Sequence, residues 1–145
     1  MILGEEATRR VQSVGAKALY IPSGGNPGQI VLPPGVTRVQ VLEELHHFTQ
    51  SRMRGFPNRS ITNESQRAAA NIVTELLELE AKDKLILHGQ RSGWHKSVIK
   101  ELEEARATHL ENLKKYLPNL PKGIDEVRGW DTRVIDYYLR QLLTP

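Results

Sequence analysis

Cysteine is absent from the 145 residues. That excludes disulfides, and it confines any metal site to His, Asp or Glu ligands. No apolar run is long enough to span a bilayer. Met1-Ile2-Leu3 meets Glu5-Glu6 at once, so no secretory signal is expected. There is no large excess of one charge: the net charge is +3, with basic residues scattered along the chain. A dedicated nucleic-acid binder concentrates Lys and Arg on one face, so nucleic acid is not an expected partner. Internal repeats, low-complexity tracts and a convincing domain boundary are also missing. The expectation is one domain, residues 1–145, with one core. A cytosolic site of action fits. So does a domain that unfolds readily for delivery elsewhere.

The elements follow from local patterns. Glu5 to Val14 reads as a short polar helix. Lys17–Ile21 and Gln29–Leu32 are short apolar runs around a turn-rich loop, Pro22–Gly28, and read as a β-hairpin. A phosphate-cradling loop is disfavoured, because no Gly-Lys-Ser/Thr follows and a strand comes next. Pro33-Pro34-Gly35 ends the hairpin, and Thr37 with Gln40 forms a capping box for a helix to about Met53. Gly55–Ser60 reads as loop. Asn63 with Gln66 opens a long helix to about His88, and Gly89 and Gly93 break it. A fourth helix is expected from Trp94 to Leu117. After a break at Pro118, Pro121 and Gly123, a last helix capped by Asp131 runs through Leu143. The fold class is α+β: mainly helical, with a small N-terminal hairpin.

The chemistry concentrates in Val41-Leu42-Glu43-Glu44-Leu45-His46-His47-Phe48-Thr49-Gln50. Helical residues advance by about 100° each. Val41, Leu42, Leu45 and Phe48 then form an apolar side, while Glu43, His47 and Gln50 share another stripe with Glu44 beside it. Glu43 and His47, one turn apart, can grip one ion. The ordinary alternative is a surface ion pair. Spacing alone does not choose between His46 and His47, and the apolar phase favours His47.

On the next helix Ile72, Val73, Leu76, Leu77, Leu79 and Leu87 define an apolar face that includes Glu80 and Asp83. Glu75 and Glu78 read as surface carboxylates. An acid in an apolar stripe needs a partner. A metal shared with Glu43 and His47 would supply one for Glu80, with Asp83 orienting the free nitrogen of His47. A buried salt bridge from Glu80 to Arg or Lys is the competing reading. His109 lies on the apolar face of the fourth helix with Val98, Ile99, Leu102, Leu110 and Leu113. It is either a proton donor beside the metal or a hydrogen-bonded core histidine. Tyr137 and Tyr138 are alternative donors. Trp94 and Trp130 read as core hinges, and His88 and His95 as surface or helix-end residues.

A strand, a helix bearing His-Glu-x-x-His and a second helix bearing Glu is the layout of the zincin metallopeptidases. Glu43-Glu44-Leu45-His46-His47 resembles that motif, with Glu43 in place of the first His. "EELHHFTQ" followed by "ELEAKDKLI" resembles the zincin-like toxin domains at the C-termini of bacterial polymorphic toxins. The resemblance covers roughly Gln29 to His88. It implies Glu44 as general base, and Glu43, His47 and Glu80 as ligands of zinc. It implies a protein or peptide substrate held along an edge strand at Gln29–Leu32, delivery into a neighbouring cell and a cognate immunity protein. Replacing His by Glu makes a weaker Lewis acid and admits manganese or iron. Three other readings stand beside this one. A di-iron bundle lacks its second Glu-x-x-His. The others are a metal-free interaction module, such as an immunity or adaptor protein, and a toxin of this fold with a non-protein substrate.

Overall fold

The computed structural model describes residues 1–13, 18–23, 26–53 and 64–119, and also 137, 138, 140 and 141. The described residues are mainly helical, with a small N-terminal three-stranded mixed sheet, an α+β arrangement. The chain folds as two compact units, Met1–Asn58 and Arg59–Pro145.

In the first unit, β1 (Ile2–Leu3) leads directly into α1 (Gly4–Ser13), followed by β2 (Leu19–Ser23), β3 (Asn26–Leu32) and α2 (Arg38–Met53). β2 and β3 form the expected antiparallel hairpin, with Tyr20 opposite Ile30 and Ile21 opposite Gln29. The strands extend into the segment read as loop. β1 was not foreseen. It pairs in parallel with β3, Ile2 beside Val31 and Leu3 beside Leu32. The sheet order is β1-β3-β2, so the edge expected at Gln29–Leu32 belongs to the central strand. Ala7 and Val11 of α1 bury against Val31, with Ile2 packed beside them. α2 lies on β2 and β3. Phe48 meets Tyr20 edge-on, the ring centres 6.0 Å apart, the geometry that aromatic quadrupoles favour.

In the second unit, α3 (Glu64–Ser92) and α4 (Lys96–Tyr116) form a helical pair, closed by a 3-10 turn at Leu117–Asn119. Ile72, Leu76, Leu77, Leu79 and Leu113 make the core with Tyr138. Leu85 is fully buried, whereas Leu87, expected on the apolar face, is 47% exposed. The helix does not break at Gly89 but runs on to Ser92. Gly89 is there for space: a Cβ would come within 2.5 Å of the Trp94 ring and 2.6 Å of Ile99 Cδ1. Gly93 ends the helix, with φ of 71°. The Trp94 amide then reaches back to the Gly89 carbonyl at 2.9 Å, the reversal that left-handed glycine permits after a helix. α4 begins one residue after its cap, His95, whose ring accepts from the Ser97 amide.

The expectations for Gly55–Ser60, Asn63, Pro121, Gly123, Trp130 and Asp131 lie outside the described residues. Of the last helix, Tyr137, Tyr138, Arg140 and Gln141 are described, and they are helical.

Candidate functional site

The capping box sets where α2 starts. The Thr37 amide donates to Gln40 Oε1 at 2.9 Å, and the Gln40 amide donates to Thr37 Oγ1 at 3.2 Å. Two otherwise unmet amides are thereby paired. From that start Glu43 and His47 fall one turn apart. Glu43, Glu44, His46 and His47 are all half-buried. The apolar side of α2 is less enclosed than expected: Leu45 is 41% exposed, while Gln50 and Ser51 are the buried residues of the helix. Gln50, one turn on from His47, supports its imidazole directly. Its Oε1 lies 2.9 Å from His47 Nδ1, so a neutral or charged imidazole with hydrogen on Nδ1 is anchored by a buried amide. Such support is what fixes a ligand imidazole's orientation.

On α3, Glu80 sits 3.7 Å from Lys84, its side chain 18% exposed. Asp83 faces α4 and the C-terminal segment. Arg106 Nε donates to its Oδ1 at 2.5 Å, and the Tyr138 hydroxyl donates to its Oδ2 at 2.9 Å. Arg106 also donates to Gln141 Oε1 at 2.5 Å. Burial pulls the Arg106 pKa down, but the hydrogen bond and charge of Asp83 outweigh it and hold it above the ordinary value. Burial, then the charge and hydrogen bond of Asp83, push the Tyr138 hydroxyl well above the usual phenol range. Tyr138 is therefore a firmly neutral donor. Tyr137 is 56% exposed and lies edge-on to Tyr138.

Glu75, expected at the surface, is buried at 8% exposure. It lies only about 60° round the helix from Ile72, on the flank that faces α4. Its Oε2 is 2.7 Å from His109 Nδ1, and its Oε1 accepts from Asn112 Nδ2 at 3.5 Å. Glu78, one turn on, places Oε2 3.8 Å from His109 Nε2. The same oxygen pairs at 3.4 Å with Lys82, itself buried. His109 is thus the hydrogen-bonded histidine of the helix interface, with acid–base-capable neighbours on both ring nitrogens. The sequence held a signal for this arrangement: Glu75 and Glu78 are three apart on one helix, His109 and Asn112 three apart on the next, the spacing at which side chains share a face. Val73, Leu77 and Leu87 lie on the opposite side of Ile72 from Glu75, so an apolar face that includes them is centred away from it.

No family model, curated protein or solved structure matches this chain.

Proposed function

We propose that the protein is a metal-dependent hydrolase of zincin-like type, acting on a protein or peptide as the toxic domain of a bacterial polymorphic toxin and held in check by an immunity protein. The observation that carries the reading is the α2 constellation: Glu43 and His47 one turn apart, the imidazole anchored through Gln50 at 2.9 Å, with Glu44 next to them. A third ligand must come from elsewhere in the chain. Glu80 is the residue that the motif implies. Two carboxylates and one imidazole suit zinc, manganese or iron. A bound ion would supply Lewis acidity toward water and a carbonyl. Glu44 would accept the water proton, and His109 would return a proton to the leaving group. The test is Glu44→Gln in full-length protein. Retained metal with lost cleavage or toxicity is expected, and unchanged cleavage removes Glu44 from the role.

A second reading has its own support. Glu75, Glu80 and Asp83 on α3 are each paired with side chains of the protein. That is the pattern of a helix pair stabilised without an ion, as in an interaction module. Chelation separates the two: a module keeps its full thermal stability, whereas a metal enzyme loses part of it.

A further inference from the structure

His109 meets a carboxylate on each side, and the geometry of the two is unequal. Glu75 is nine-tenths buried, and it stands 2.7 Å from Nδ1, with Asn112 on its other oxygen. An ionised carboxylate only accepts, so the hydrogen of that bond sits on Nδ1. Glu78 lies 3.8 Å from Nε2, beyond direct hydrogen-bond reach, and the same oxygen is shared with Lys82. Among the described residues, Glu75 and Glu78 are the charged groups of α3 that face the ring.

We infer that Glu75 is the positioning residue for His109: it holds the neutral ring as the Nδ1–H tautomer and thereby makes Nε2 the nitrogen that exchanges protons. Buried carboxylates that orient an imidazole through one nitrogen and leave chemistry to the other are a recurrent device. The use of Nε2 in catalysis rests on the hydrolase reading. The placement of the hydrogen does not. No bond is made or broken in this assignment beyond transfer of one proton at Nε2.

The experiment is nitrogen-15 NMR of the histidine rings in full-length protein, with His109 assigned through His109→Gln. In the wild type, a protonated-type signal at Nδ1 and an unprotonated-type signal at Nε2 are expected. Glu75→Ala shifts the ring toward Nε2–H, while Glu75→Gln, whose amide oxygen still accepts, retains Nδ1–H. Far-UV circular dichroism establishes that each variant is folded, and the wild-type spectrum decides alone if Glu75→Ala is not. With a cleavage assay, Glu75→Ala lowers kcat by about tenfold or more with KM little changed, and Glu75→Asp keeps part of the rate. An Nε2–H ring in the wild type, or an unchanged tautomer in folded Glu75→Ala, overturns the assignment. An Nδ1–H ring in a protein that shows no metal-dependent cleavage upholds the assignment and removes the hydrolase reading instead.

Discussion

The Tyr138 hydroxyl donates to Asp83 Oδ2 across 2.9 Å, tying the C-terminal segment to α3 at a point where Arg106 already holds the other carboxylate oxygen. Tyr138 is 3% exposed and belongs to the core of its unit. Tyr138→Phe keeps the ring and loses the bond, so it should destabilise by about 1–2 kcal/mol. Tyr138→Ala also leaves a cavity and should cost about 3–5 kcal/mol. Urea denaturation measures both. Equal losses in the two variants would show that the ring itself contributes little.

The same bond gives the protein an alkaline limit. Burial and then Asp83 raise the Tyr138 pKa in the folded state, while in the unfolded chain it returns to about 10. Below pH about 10 the hydroxyl is protonated in both states, and its contribution is complete. As pH climbs above that value, the unfolded form loses the proton first and gains stability relative to the folded form. Wild-type stability should therefore fall more steeply above pH about 10 than that of Tyr138→Phe. Parallel curves would contradict the assignment.

The α2 cap is separable from the chemistry it positions. Thr37→Ala removes the side-chain oxygen that meets the Gln40 amide and should cost about 1 kcal/mol by thermal or urea unfolding. The helix from Arg38 keeps its register, so metal binding through Glu43 and His47 should persist in the folded protein. A folded Thr37→Ala protein that has lost the ion would place the cap within the binding apparatus itself.

The two glycines at the C-terminal end of α3, one in its last turn and one just past it, fail for different reasons. Gly89→Ala forces a methyl against Trp94 and Ile99 and should cost about 1–3 kcal/mol through overpacking. Gly93→Ala meets no neighbour but must hold φ near 71°, a backbone penalty of about 1–2 kcal/mol. Ile99→Val removes one of the two clashing groups, so it should recover part of the loss in the first variant and none in the second, as double-mutant denaturation would show.

The readable parts of this chain were those governed by neighbours in sequence. Thr37 and Gln40 are three apart, and their reciprocal bonds fixed the start of α2 from pattern alone. The hairpin was legible because its turn residues sit between its strands. β1 was not, since two residues pairing in parallel with a strand almost thirty positions later leave no local period. Gly89 was misread as a breaker because a glycine required by a neighbouring indole looks the same as one required by a turn. Glu75 was misplaced because its partners, His109 and Asn112, lie on another helix, and a single-helix average cannot see them. For the candidate site, the sequence marked Glu43, Glu44 and His47 through spacing. It also put Gln50 on the same stripe as His47, but the bond between the two was not foreseen.

The claim on which the functional account rests is that Glu43 and His47 hold a divalent cation. Elemental analysis of purified full-length protein, before and after saturation with zinc, manganese or iron(II) and removal of excess ion, addresses it most directly. The account predicts about one ion per wild-type chain, none in His47→Ala, and loss in Glu80→Gln, which tests the third ligand. Wild-type protein that retains no ion under any of these conditions, or His47→Ala protein that retains a full complement, contradicts it.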